Sequence, residues 1–158
     1  MKQLTIGEAL NKAASYCTLC ERCISEVTAK LTTWGVPFGE QQKIIARLQE
    51  EKFIDEQRYC RAFVNDKLRF NHWGRKKIIF SLYEKRVPKE FVNDAIEEID
   101  EELYMSILKE VIAMKSRELK DKDDYSARQK MMRFAASRGF ETNAIMRVIK
   151  CDDYEMDF

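Results

Sequence analysis

The sequence predicts an all-α fold, organised as a tandem array of three three-helix repeats. Apolar residues recur at helical spacing along almost the whole chain, and no segment shows the sustained alternation that is typical of a β-strand. Five glycines and two prolines in 158 residues leave little material for the many turns of an all-β fold. A short sequence pattern that recurs three times completes the case for a repeat architecture.

Nine apolar stripes follow one another, and each predicts one short helix. The first begins after Thr5, which forms a capping-box pattern with Glu8 three residues later. The second ends at Gly35 and Pro37, which are typical helix-stop residues. The nine stripes cover residues 6–17, 27–34, 44–48, 59–68, 78–83, 91–99, 103–114, 131–135 and 145–149. Helices this short are not stable alone, so they must pack against one another.

The recurring pattern lies where the second helix of each predicted repeat ends. Residues 31–37 align with residues 82–88 and 135–141, at offsets of 51 and 53 residues. In each copy an apolar residue follows the helix stop, and Arg86 stands where the other two copies have glycine. That turn must therefore use another cap or accept a left-handed backbone. The predicted repeats are residues 1–53, 54–99 and 100–158, with a linker at 117–125 and a frayed acidic tail at 151–158.

Charge is segregated along the chain although the formal net charge is only +1. Residues 54–89 carry ten Lys or Arg against four Asp or Glu, whereas residues 90–102 carry seven acids and no base. No apolar run is long enough for a membrane span or an export signal. An odd number of cysteines fits a reducing compartment better than a disulfide framework. We therefore expect a protein of the cytoplasm that does not contact membrane. We also expect it to be a monomer.

The basic middle of the chain is the candidate binding site, and we call its members the basic cluster. Residues 74–77 open a helix, where three cations oppose the positive end of the helix dipole and suggest that an anion arrives. Free backbone amides at that helix start would add to an anion site. The alternatives are a solvated basic surface, or pairing with the acidic run at 97–102. The basic cluster comprises Arg58, Arg61, Lys67, Arg69, Trp73, Arg75, Lys76 and Lys77.

Other candidate chemistry has weaker support in the sequence. Cys17, Cys20 and Cys23 have the spacing of zinc or iron–sulfur ligands, but no fourth ligand is nearby. Cys23 with Glu26 also fits a capping box with sulfur in place of oxygen. The single histidine, His72, has no arrangement around it that suggests nucleophilic catalysis. We expect no catalytic residue, no metal and no cofactor.

The segment from Lys52 to Arg69, followed by residues 73–78 and Leu82, resembles the central signature of the RecX family. Lys52 replaces the usual glycine of the signature, and Cys60 replaces the usual alanine. Neither replacement falls at one of the polar positions of the signature that would carry binding. The resemblance implies an elongated, curved array that lies in the groove of a RecA filament on single-stranded DNA and mostly inhibits its growth, ATPase and strand exchange. It also implies roles in recombination, DNA repair and the SOS response, with weak direct DNA binding as a further expectation.

Two other functions stay open at this point. The first is a helical nucleic-acid-binding module that acts without RecA, because three-helix units resemble helix-turn-helix domains. The second is a metal or redox protein that uses the three clustered cysteines.

Overall fold

The computed structural model describes the backbone of residues 3–120 and 124–156, and the side chains up to residue 150. Within these ranges the chain forms nine helices and no strand, which confirms the all-α prediction. The helices are α1 (Ile6–Leu19), α2 (Ile24–Thr33), α3 (Phe38–Glu50), α4 (Glu56–Arg69), α5 (Arg75–Glu84), α6 (Lys89–Glu97), α7 (Glu101–Glu118), α8 (Asp124–Ser137) and α9 (Thr142–Met156).

The helices that open the three predicted repeats begin with the same kind of cap. The side chain of Thr5 accepts the backbone N–H of Glu8 at 3.1 Å, and Asp100 accepts that of Leu103 at 3.1 Å. Asp55 does the same for Arg58, also at 3.1 Å. Each cap satisfies one of the amides that a helix start leaves without an intrahelical partner. The cap predicted at Thr5 is confirmed.

The helix stops of the three repeats also share one geometry. Gly35, Arg86 and Gly139 all adopt positive φ, at 79°, 59° and 98°. At each stop the next residue donates its N–H five residues back, as Val36 does to the carbonyl of Leu31 at 3.0 Å. This is the Schellman arrangement, in which these N–H groups satisfy carbonyls that a helix end leaves without an intrahelical partner. Arg86 therefore accepts the left-handed backbone, which was one of the two expected outcomes.

Contacts divide the chain into two compact units. The first unit is Met1–Phe63 with Leu82–Ala95, and the second is Val64–Ser81 with Ile96–Phe158. The middle helices are thus shared between the units. The predicted boundaries at 53/54 and 99/100 fall in the loops before α4 and α7, and the division into three repeats stays a prediction.

Helices α1, α2 and α3 pack against one another around a single core in the first unit. Thr5 and the apolar stripe that follows it direct α1 onto this core. The side chains at its centre are almost fully buried and consist of Ala9, Ala13, Val27, Leu31, Ile44, Leu48 and Ile54. Burial of such side chains is the main term that stabilises helices of this length.

In the second unit α7, α8 and α9 pack pairwise. Tyr104 and Phe140 are buried there, with ring centroids 5.3 Å apart. The predicted linker at 117–125 joins α7 to α8 but is shorter than expected, and its residues 121–123 lie outside the described part. Helix α9 continues to Met156 and so extends into the predicted acidic tail, whose fraying stays a prediction. Residues 157 and 158 lie outside the described part.

No helix in the described ranges combines the length and apolar character that a membrane crossing requires.

Candidate interaction surface

The basic cluster is spread over two helices and the turn between them. Arg58 and Arg61 lie on α4 within the first unit. The other six members lie in the second unit, at the end of α4, in the turn and at the start of α5. The turn is left-handed at His72, which has a φ of 54°, and the Trp73 N–H closes it by donating to the carbonyl of Lys67 at 3.0 Å.

Two lysines flank the indole of Trp73. The Nζ atoms of Lys67 and Lys77 lie 4.9 and 4.7 Å from the ring centroid, within the range of a cation–π contact. Trp73 is half-buried, and both ammonium groups lie within 5 Å of the centroid of its ring. Lys76, which precedes Lys77 in the chain, is exposed, and the guanidinium of Arg69 donates to Asn65 at 2.6 Å. This arrangement concentrates positive charge around one aromatic ring.

Arg58 is tied to its own unit. Its Nε donates to Oε1 of Glu21 at 2.7 Å, and its Nη2 donates to the backbone carbonyl of Lys52 at 3.0 Å. These bonds connect α4 to the loop before α2 and to the end of α3. Arg61 is exposed on the same helix.

Arg75 is held by three side chains of the second unit. Its Nη2 lies 2.5 Å from Oε2 of Glu101, and its Nη1 lies 3.5 Å from Oε2 of Glu141. Its Cζ lies 3.8 Å from the ring centroid of Tyr104. Partial burial opposes the charge on Arg75, but the hydrogen bond to Glu101 and the nearby acids raise its pKa. Burial raises the pKa of Tyr104, whose hydroxyl donates to Glu141. One pair between the basic cluster and the acidic run is therefore confirmed.

The backbone amides at the start of α5 are already bonded, so the prediction of free amides there is wrong. The N–H groups of Gly74 and Lys76 donate to the carbonyls of Arg138 at 2.7 Å and Gly139 at 3.0 Å. The N–H of Arg75 donates to the hydroxyl of Tyr104 at 3.1 Å. The turn before α9 thus covers the helix start. An arriving anion would meet the lysine side chains and not the backbone.

Two exposed aromatic residues near the basic cluster were missed from the sequence. Phe70 and Phe80 have 78% and 64% of their surface exposed, and both lie in the second unit. Phe80 follows Lys76 by four residues on α5, so the two side chains share one side of that helix. The sequence did not reveal that Phe80 is exposed, because this residue falls between the core positions of the apolar stripe of α5.

The structure does not bring the three clustered cysteines together as one group of ligands in the part of the chain that it describes. No group of three or more His, Cys, Asp or Glu in the described ranges could hold a metal ion. Cys17 and Cys23 are buried whereas Cys20 is exposed, and burial raises the pKa of the Cys17 and Cys23 thiols. Cys23 is the N-cap of α2, where Glu26 accepts its N–H at 3.2 Å, so the predicted sulfur capping box is confirmed.

Comparison with known proteins gives one consistent family. Residues 55–96 match the second three-helix domain of RecX, and residues 101–149 match the third. The chain is 31% identical over 127 residues to the regulatory protein RecX of Clostridium botulinum (strain Eklund 17B / Type B), covering 79% of this chain and 59% of that relative. It is 25% identical to the regulatory protein RecX of Prosthecochloris aestuarii, covering 90% of this chain and 91% of the relative.

A solved structure shares the fold. The crystal structure of RecX from Lactobacillus salivarius has a TM-score of 0.84 with this chain, at 19% identity, and the match covers 94% of this chain and 97% of the other. With two consecutive domains matched and relatives aligned over most of its length, this chain belongs to the RecX family of regulatory proteins.

Proposed function

We propose that the chain is a non-enzymatic regulator that binds the RecA filament on single-stranded DNA and restrains filament growth, ATP hydrolysis and strand exchange. Membership of the RecX family supports the choice of partner. The observation that carries the proposal is the pair of lysines at the ring of Trp73, with the exposed Lys76 next to one of them in the chain. Such a concentrated cationic surface suits an acidic partner or a phosphate backbone. The monomeric state and the cytoplasmic location stay predictions.

Charge reversal of the lysines tests the proposal. The variant Lys67→Glu/Lys76→Glu/Lys77→Glu should bind RecA filaments about tenfold more weakly, because each exposed ion pair contributes a few tenths to about 1 kcal/mol. ATP hydrolysis and filament length would be followed as the protein is titrated onto RecA and single-stranded DNA. Arg75 is left unchanged because its ion pairs lie inside the fold.

A matched variant controls for charge alone. Lys12→Glu/Lys30→Glu/Lys43→Glu removes three exposed lysines of the first unit, and the Nζ of Lys12 also lies 4.5 Å from the centroid of an indole ring, that of Trp34. Both triple variants change the net charge equally, so only position differs between them. Equal inhibition by the two variants would contradict the proposed surface. No inhibition by the unaltered protein at several-fold excess would contradict RecA binding itself.

Direct binding of single-stranded nucleic acid is the second candidate function, and the exposed Phe80 beside Lys76 favours it. An exposed aromatic ring next to a cation can stack on a base while the cation contacts phosphate, and stacking contributes about 1–3 kcal/mol per base. Phe80→Ala should weaken binding of a labelled oligonucleotide in the absence of RecA, measured by fluorescence anisotropy. Phe38→Ala removes an equally exposed phenylalanine from α3 and is the control. Binding that neither variant changes would exclude this role for Phe80.

A further inference from the structure

The starts of α2 and α5 make equivalent contacts, 51 residues apart. The N–H of Ile24, the first residue of α2, donates to the carboxylate of Glu56 at 3.2 Å. The N–H of Arg75, the first residue of α5, donates to the hydroxyl of Tyr104 at 3.1 Å. Each acceptor lies in the first turn of the helix that opens the next predicted repeat, α4 or α7. We call the contacts of residues 23–26 the first joint and those of residues 74–77 the second joint.

Two glycines close the second joint. A Cβ atom on Gly74 would lie 2.4 Å from the backbone of Gly139 and Phe140, and one on Gly139 would lie 2.5 Å from the Cβ of Lys77. Only glycine at both positions allows this approach. The approach places the carbonyls of Arg138 and Gly139 where they accept the N–H groups of Gly74 and Lys76. The second joint therefore has direct backbone bonds between its two sides.

The first joint has side chains where the second has glycines. Cys23 aligns with Gly74, and Arg86 aligns with Gly139, so each position carries the Cβ that the second joint excludes. The N–H of Ser25 aligns with that of Lys76, yet no group in the described part of the chain accepts it. A groove of about 420 Å³ remains at this place. It is lined by Ile24, Ser25, Thr28, Ala29, Glu56 and Arg86.

We propose that the protein has one compliant joint, at the start of α2, and one fixed joint, at the start of α5. The residue pairs Cys23–Arg86 and Gly74–Gly139 determine the difference. Side chains connect the two sides of the first joint. The carboxylate of Glu56 accepts the N–H of Ile24, and the Nζ of Lys85 forms an ion pair of 3.5 Å with Oε2 of Glu26. Side-chain links adjust to small displacements, whereas the backbone bonds of the second joint break once the glycines separate. The compliance belongs to the chain alone and does not depend on RecA.

Amide hydrogen exchange on the unaltered protein tests the proposal without any variant. The N–H groups of Ile24 and Arg75 are a matched pair, because each is the first amide of its helix and each donates to a side chain of the next repeat. We expect the protection factor of Arg75 to exceed that of Ile24 at least about tenfold, since local opening governs exchange at such positions. Equal protection, or greater protection at Ile24, would overturn the proposal.

Two variants exchange the properties of the joints. Gly74→Ala should lower the protection of Arg75 and Lys76 towards that of Ile24, whereas Gly39→Ala, with no atom within 4 Å of its Cβ position, should leave it unchanged. Cys23→Gly/Arg86→Gly should raise the protection of Ile24 and Ser25 by closing the groove. Arg86→Gly alone keeps the Cβ of Cys23 and should not close it.

Circular dichroism and thermal melting establish that each variant folds. If Gly74→Ala does not fold, the unaltered protein and the double glycine variant still decide the question. No change in the exchange of Ser25 in the double glycine variant would show that the Cβ atoms do not set the difference.

Discussion

At the scale of single residues, Lys52 holds a conformation that side chains rarely adopt. Its φ is 63°, and it ends α3 in the same Schellman arrangement as the repeat stops, with the Phe53 N–H donating to the Leu48 carbonyl at 2.8 Å. A left-handed backbone costs an L-residue about 1–2 kcal/mol, and glycine avoids that cost but loses more entropy on folding. Lys52→Gly should therefore raise the free energy of unfolding by about 0.5–1 kcal/mol.

Urea unfolding measures this gain, and Lys52→Ala is the control because alanine keeps the unfavourable backbone. The lysine side chain is exposed, and Arg58 bonds only to its backbone carbonyl, so glycine keeps that contact. A glycine variant no more stable than the alanine variant would contradict the account.

Glu56 makes stability depend on pH. Its side chain is buried, and burial raises its pKa although the Ile24 N–H bond opposes the shift. A carboxyl with a raised pKa in the folded state binds its proton more tightly there, so stability falls as pH rises from the unfolded pKa of about 4.3 through the folded value. Glu56→Gln keeps an acceptor for Ile24 and should become more stable than the unaltered protein as pH rises from about 4 to 7.

Urea unfolding across this pH range provides the measurement, with Glu50→Gln at the exposed end of α3 as the control. A difference between Glu56→Gln and the unaltered protein that does not change with pH would contradict the burial argument.

Single residues also mark what the sequence could reveal. The left-handed turn at Arg86 could be anticipated because the repeat alignment puts it opposite two glycines. Arg75 could not be understood in the same way. Its acidic partners Glu101 and Glu141 are 26 and 66 residues away, and local spacing carries no signal for such contacts. From the sequence, Arg75 looks like an exposed member of the basic cluster, and reversing its charge would appear harmless to stability.

At the scale of helices and turns, two repeat stops separate backbone strain from packing. Gly35 and Gly139 occupy equivalent positions with positive φ, but a Cβ on Gly35 would meet no atom within 4 Å. Gly35→Ala should cost about 1 kcal/mol, from the backbone alone. Gly139→Ala should cost at least about 1–3 kcal/mol more, because its Cβ would overlap Lys77.

Thermal and urea unfolding of the two alanine variants give these values, and their difference isolates the packing of the second joint. Equal losses in the two variants would mean that the α5 start moves away without cost.

Helix periodicity predicts the elements themselves well, since each of the nine stripes became a helix in the described ranges. Helix periodicity does not predict that the backbone amides at the start of α5 are hydrogen-bonded, because Gly74 and residues 138–140 are distant in the sequence and come together only in the folded chain.

At the scale of the whole molecule, the net charge gives a misleading picture of binding. A protein with a formal charge of +1 should associate with little dependence on salt if its charges were evenly mixed. Residues 54–89, however, carry ten cations against four acids, and the lysines around Trp73 concentrate part of that excess. Since the screening length falls from about 10 Å at 0.1 M salt to about 3 Å at 1 M, a partner would sense this local charge mainly at low salt.

We therefore expect the affinity for RecA filaments to fall steeply between about 0.05 and 0.3 M salt, as it does for interfaces governed by local charge. Co-sedimentation with filaments across this range measures the slope. The triple lysine reversal should flatten the slope, whereas the matched reversal of Lys12, Lys30 and Lys43 should leave it nearly unchanged. An affinity that is independent of salt would imply an apolar contact, and the exposed Phe70 and Phe80 would then be the first residues to replace.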